Sequence, residues 1–295
     1  MIEYRLTDYE KTPFLMLTEA EAKTEVEFPM IGDYKIIKMA GKGTFGKVFL
    51  GESIRTGELV ALKVMQKRSI NFDSLEIFER ELKSLTRIRG HKNVLSLFDA
   101  FETEEAFVLV TEWCDGGDLL ALIRTQGALS ERECKYLLKG LLEGLLHIHE
   151  YHRIAHCDLK LENVFLTRNG RVVVGDFGVS KEYITTLQTR AGSEEYAAPE
   201  KILGQASFYA EEADVWSFGV IMYACLKAKL PFIRNKHISV NSDNPLSLYN
   251  QIMYKNIEIN SVSEECRQVV MKALERNPVK RATFRELLNM PFFSK

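Results

Sequence analysis

Apolar positions between residues 33 and 112 fall in short runs broken by glycine-containing turns. Asp33–Met39 (DYKIIKM), Lys47–Glu52 (KVFLGE) and Leu59–Met65 (LVALKVM) are rich in β-formers, and Arg55-Thr56-Gly57 lies in the gap before the third. Such runs predict strands. The period then changes. Leu75, Phe78, Leu82, Leu85 and Ile88 recur at spacings of 3, 4, 3 and 3, so one helical face is apolar from about Ser74 to Ile88, with Asp73 and Glu76 placed to cap it. Val94–Phe101 and Ala106–Glu112 predict two more strands. Beyond Cys114-Asp115-Gly116-Gly117 the chain reads as helical. Ser130-x-x-Glu133 is a capping box, Cys134–His149 is leucine-dense, and Asp214–Leu226 is apolar enough for a helix buried nearly all round. Strands first and helices afterwards predict an α+β chain of two lobes that switches near residue 113.

Composition narrows the class. With 46% hydrophobic and 27% charged residues in 295, the chain matches ordinary globular proteins and not disordered or collagenous ones. A formal charge of −2 gives no general pull toward nucleic acid or anionic lipid. The charge is uneven, because residues 1–30 hold seven acids and three bases, a net of −4. Residues 1–33 are therefore expected to be an acidic extension, most simply a solvated one, with docking on a basic small lobe as its regulatory alternative. Five scattered cysteines without C-x-x-C spacing suggest reduced thiols and a cytoplasmic or nuclear location. The N-terminus shows no secretory pattern, and the longest apolar stretch, near Val215, is shorter than the roughly 20 residues of a membrane span.

Four motifs carry chemistry. Gly41, Gly43 and Gly46 form GxGxxG. Glycines let backbone N–H groups approach phosphate, but a strand and not a helix follows, which favours a nucleotide-covering hairpin over a dinucleotide-binding turn. Lys63 lies mid-strand in Val60-Ala61-Leu62-Lys63. It either snorkels to solvent or is held over polyphosphate by an acid, Glu81 in preference to Glu79. His156-Cys157-Asp158-Leu159-Lys160-Leu161-Glu162-Asn163 places an acid, a base and an amide on one loop, and Asp176-Phe177-Gly178 adds a second acid thirteen residues beyond Asn163. Asn163 and Asp176 offer oxygen ligands of the kind Mg²⁺ takes, Asp158 a hydroxyl-proton acceptor, and Lys160 a cation for a phosphoryl group in flight. Each triplet alone means little; the four in this order are specific.

Together with Ala198-Pro199-Glu200, Asp214-Val215-Trp216 and Arg281, these motifs resemble the eukaryotic protein kinases of serine/threonine type over roughly residues 34–293. The resemblance implies a bilobal kinase fold: a small β-rich, nucleotide-binding N-lobe over 34–112 and a larger helical C-lobe over 113–295, with ATP and Mg²⁺ between them. It implies that Ala40, Gly41, Lys42, Gly43, Thr44, Phe45, Gly46, Lys47 and Val48 cover the phosphates and that Lys63 pairs with Glu81. Ala61 and Phe165 would sandwich the adenine, Glu112 and Cys114 offer backbone to it, Asp118 reach the ribose, and Thr111 guard the back pocket. Leu85, Leu97, His156 and Phe177 would stack across both lobes, Glu200 would pair with Arg281, and Asp214 would hold the catalytic loop. The implied reaction is transfer of the γ-phosphoryl group to a protein serine or threonine, with no nucleic-acid or membrane partner and any regulatory subunit unspecified. Lys160 and Ser193 favour this over a tyrosine-specific enzyme. The segment from Asp176 to Glu200 favours it over a small-molecule kinase. Retention of Lys63, Asp158, Asn163 and Asp176 favours it over a pseudokinase or nucleotide-binding scaffold.

The sequence departs from the family pattern at three places. Cys157 replaces the usual arginine, so phosphate on Thr189 would lack its main partner unless Arg190, Lys181 or Arg80 supplies the charge; activity is expected to depend little on that phosphate. Glu194 stands where proline is common, and Phe165 is larger than the usual leucine. His147, His149, His152 and His156 read as packing or surface residues and not as a metal site, because a two-residue spacing on a helix points side chains apart.

Overall fold

The computed structural model describes residues 29–42, 46–69, 72–182, 193–203, 210–235, 237, 244 and 246–294. The chain folds as two compact units. One runs up to Arg89 and takes in Leu95–Cys114; the other consists of Gly90–Val94 and the chain from Asp115 onward.

The first unit is built on a six-stranded antiparallel sheet in the order β1-β2-β3-β4-β6-β5. The strands are β1 (Met30–Ile31), β2 (Tyr34–Lys42), β3 (Lys47–Ser53), β4 (Leu59–Gln66), β5 (Leu97–Glu102) and β6 (Ala106–Glu112). Strand alternation sorts the side chains. Val60, Leu62 and Val64 of β4 and Ala106, Val108 and Val110 of β6 share one face with Ile31, Ile36 and Phe49. Met65 and Leu109 occupy the opposite face and pack against Phe78 of helix α1 (Phe72–Arg87). Lys63 shares the parity of Met65, so it emerges on the face that α1 covers. Residues 30–31, which sequence reading leaves in the extension, pair with β2 and bury Ile31; the folded body starts earlier than residue 34. The Asp73 cap lies outside the described side chains.

The second unit is mainly helical: α2 (Leu119–Gln126), α3 (Glu131–Leu146), α4 (Pro199–Ile202), α5 (Ala210–Lys227), α6 (Leu248–Tyr254), α7 (Glu264–Ala273), α8 (Phe284–Leu288) and α9 (Pro291–Ser294). Its strand pairs are short: β7 (Ile154–Ala155) with β10 (Lys181–Glu182), and β8 (Val164–Leu166) with β9 (Val172–Val174). The predicted capping box is present, since Ser130 and Glu133 cap each other's backbone at the start of α3. Residues 213–226 of α5 are all buried, as its unbroken apolar run demands. After Leu146 the chain widens into a π turn, His147–Tyr151. Among the described residues no helix is long and apolar enough to cross a membrane. The architecture is α+β, strands first and helices afterwards, as the sequence pattern predicts.

Candidate active site

In the first unit β2 and β3 form a hairpin, with Gly41 opposite Val48 and Lys42 opposite Lys47. Gly43, Thr44 and Phe45 lie outside the described residues, while Ala40, Gly41, Lys42, Gly46, Lys47 and Val48 lie on the hairpin. At Gly46 a Cβ would stand 2.5 Å from the Val64 carbonyl oxygen, so the hairpin can hug β4 only with glycine there. Val48 faces Lys63 across the β3–β4 ladder, and Ala61 faces Thr111 across β4–β6. The Lys63 Nζ lies 2.6 Å from Glu81 Oε2, with the Glu81 side chain almost fully buried and that of Lys63 about a quarter exposed. Glu79 is exposed, which decides between the two candidate partners. A buried carboxylate needs a cation to offset its desolvation, so the pair holds the ammonium in place. Leu85 is fully buried, and Leu97 packs against Met65, Phe78 and Leu109. Glu112 accepts from the Ser96 N–H through Oε1 at 3.0 Å and donates its own N–H to Ser96 O, which fixes the end of β6; Cys114 is buried.

In the second unit the residues of the expected catalytic loop converge. Asp158 Oδ2 lies 2.6 Å from Lys160 Nζ, and Oδ1 accepts from the Ser193 N–H at 2.9 Å. Asn163 Nδ2 donates to the Asp158 carbonyl at 2.8 Å, which leaves its Oδ1 as the acceptor of the amide. The β8–β9 hairpin sets the Asn163–Asp176 spacing. Val164 pairs with Val174, and Gly175 N–H donates to Asn163 O at 3.1 Å, so both residues stand at the open mouth of one short hairpin. An amide oxygen and a carboxylate are hard donors, and this pair fits Mg²⁺, which keeps phosphate and water as its other ligands. Asp176 (φ 62°) and Cys157 (φ 66°) occupy the left-handed region, costly for residues with a side chain. Strain of this kind persists only where the surroundings enforce it. Arg153, Ala228 and Ser261 also have positive φ, so the strain alone does not mark the site.

The loop is held from beneath. Asp214 on α5, fully buried, accepts from His149 Nε2 at 2.9 Å, His156 N–H at 2.6 Å and Cys157 N–H at 3.0 Å. Burial pushes its carboxyl up, but the His149 hydrogen bond and charge, with His156 behind them, outweigh that and hold it below the usual carboxylate value. His156 accepts the Asp158 N–H at Nδ1 (3.3 Å) and donates from Nε2 to Gly175 O at 2.9 Å, tying Asp158 to the segment that carries Asp176. Its ring lies 5.0 Å from that of Phe177. Glu200 and Arg281 form a bidentate buried pair, 2.6 and 3.0 Å.

Asp118 caps α2, accepting from Ala121 N–H at 2.8 Å, and bridges to Phe165, a structural duty the motif reading does not give it. Lys201, not singled out by sequence, donates to the Cys157 carbonyl at 2.9 Å. Arg80 pairs with Glu76, and Lys181 sits in the β7–β10 ladder; Thr189 and Arg190 lie outside the described residues. His149 and His156 are buried while His147 and His152 meet elsewhere, and among the described residues no three histidine, cysteine, aspartate or glutamate side chains gather as a metal site.

The protein kinase domain family matches residues 34–293. Serine/threonine-protein kinase cds1 of Schizosaccharomyces pombe is 33% identical over 88% of this chain and 58% of its own length. Probable serine/threonine-protein kinase MARK-A of Dictyostelium discoideum is 32% identical over 90% of this chain and 24% of its own. The chain thus spans about half and a quarter of these two relatives. With the match covering both units and all the motif residues, the chain belongs to the protein kinase family.

Proposed function

We propose that the chain is a serine/threonine protein kinase that transfers the γ-phosphoryl group of MgATP to a protein hydroxyl. The observation that carries this is the Asp158–Lys160 pair joined by hydrogen bonds to Asn163 and to the strand leading to Asp176. MgATP, when bound, supplies the phosphoryl group and the divalent charge. Asp158 orients the acceptor hydroxyl and takes its proton at a carboxylate oxygen. Lys160 reduces the charge repelling that hydroxyl, Lys63 is poised for phosphate, and Asn163 and Asp176 would hold the metal. Phosphoryl transfer passes through a loose transition state, so positioning and charge neutralisation are most of what a protein contributes. In this reading residues 34–112 bind nucleotide and 113–295 bind the protein substrate. The names of both relatives favour serine and threonine as acceptors.

Incubation with γ-³²P-ATP, Mg²⁺ and a generic substrate such as casein tests the reading. Label on serine or threonine supports it. Nucleotide binding without any transfer would instead identify a nucleotide-binding scaffold.

A further inference from the structure

Three imidazoles that the catalytic reading leaves unused meet on the second unit. The π turn brings His147 and His152, five residues apart, into register, with Nε2 atoms 3.1 Å apart. His91 stacks on His147 with centroids 4.7 Å apart and planes 20° apart. Its Nδ1 accepts the Asn93 N–H at 3.2 Å, so His91 is held in a neutral form. Two Nε2 atoms at hydrogen-bond distance share one proton; two N–H groups there would repel. The cluster therefore has no place for protons on all its facing nitrogens.

We propose that His91, His147 and His152 form a proton-sensitive clamp whose opening in acid loosens the segment that positions Asp176. The connection is continuous. His91 anchors the segment 90–94, where Asn93 O accepts the Val174 N–H at 2.9 Å and Asn93 Nδ2 donates to Val172 O at 2.7 Å. Arg171 Nη1 donates to Lys92 O at 2.6 Å. The segment is thus zipped to β9, two residues from Asp176, while the π turn carries His149 beneath the catalytic loop.

The other charged groups around the cluster do not replace it. Glu143 favours proton uptake but is paired with Lys92 at 3.2 Å, which opposes it. The Tyr151 ring flanks His147 at 5.6 Å, and Glu150 on the same turn is engaged by Arg285. Burial, and next the neighbouring His147, hold the His91 ring below the ordinary imidazole value. The unfolded chain takes up that proton near pH 6.5, about the free value, and the folded clamp only lower. Acid therefore favours opening as pH falls through 6.5, and the clamp's contribution is complete above it.

The test is hydrogen exchange at the Asn93 and Val174 amides of the full chain between pH 7.5 and 5.5, corrected for intrinsic rates. Protection is expected to fall about tenfold in acid. In the double variant His91→Gln/His147→Phe the pH response should shrink to less than about twofold. Unchanged protection in the wild type overturns the proposal whether or not the variant folds, and so does an identical response in a folded variant. The consequence for Asp176 rests on the kinase reading, and the two fail separately. Acid-sensitive protection without phosphoryl transfer at any pH leaves the clamp standing and removes the kinase. Normal transfer with flat protection does the reverse.

Discussion

Asp158 has both carboxylate oxygens engaged, one by Lys160 and one by the Ser193 amide. Asp158→Asn keeps the shape but loses the proton acceptor. Its kcat should fall at least about 100-fold, roughly 3 kcal/mol of barrier, while calorimetry still detects nucleotide binding; near-normal turnover would refute the assignment. Cys157 brings a thiol near the Ala155 carbonyl where the family has a guanidinium, and Lys201 reaches the Cys157 carbonyl. Thr189→Ala should therefore lower peptide phosphorylation less than about tenfold, since no charge-assisted pair of the arginine kind is lost. A larger loss shows that another cation receives the phosphate. Cys225 and Cys266 are wholly buried; contact with Cys134 and burial drive the first thiol up, and burial drives the second to about 12. The unfolded thiols ionise first as pH rises, so stability should decline above about pH 8.5. Cys225→Ala/Cys266→Ala should flatten that decline in urea melts run from pH 7.5 to 10.

At the scale of elements, legibility followed how much of the signal is local. Helix α1 was readable because Leu75, Phe78, Leu82 and Leu85 face one side, and α5 because its run is apolar on all sides. The hairpin of β2 and β3 was readable because a strand, not a helix, follows the glycines. The end of α3 was not. The predicted helix runs through His149, yet the α-helix stops at Leu146 and a π turn follows, since the tertiary demand for His149 to reach Asp214 outweighs local propensity. For the same reason the histidine cluster was invisible: His91 lies 56 residues before His147, and only the fold stacks them. Gly219 is another tertiary case. A Cβ there would stand 2.8–2.9 Å from Leu274 and Ala273, so the helices meet only because the position is bare. Gly219→Ala should destabilise by about 1–3 kcal/mol through overpacking despite its better helix propensity, read from the urea midpoint.

For the whole molecule, residues far apart in sequence are joined by buried polar anchors. Glu200 and Arg281, 81 residues apart, bind in a bidentate pair that Arg281 extends to the carbonyls of Glu212 and Glu275, with its guanidinium over the Trp216 ring. Removing one partner strands the other charge, so Arg281→Met should cost about 3–5 kcal/mol in chemical denaturation. A loss under 1 kcal/mol would mean that water reaches Glu200. The motifs told which residues belong together in this anchor and in the Lys63–Glu81 pair. They could not tell that Asp118 also caps a helix or that residues 30–31 extend the sheet, because those are facts of backbone geometry.

The Ser193 amide donates to Asp158 Oδ1. In the proposed kinase it holds the carboxylate oxygen that the acceptor hydroxyl would take, and exchanging one hydrogen bond for another is nearly thermoneutral. The acceptor group itself then supplies little affinity. On the kinase reading, discrimination among protein substrates then rests on their flanking residues, and a free amino acid should be a poor substrate however well its hydroxyl fits.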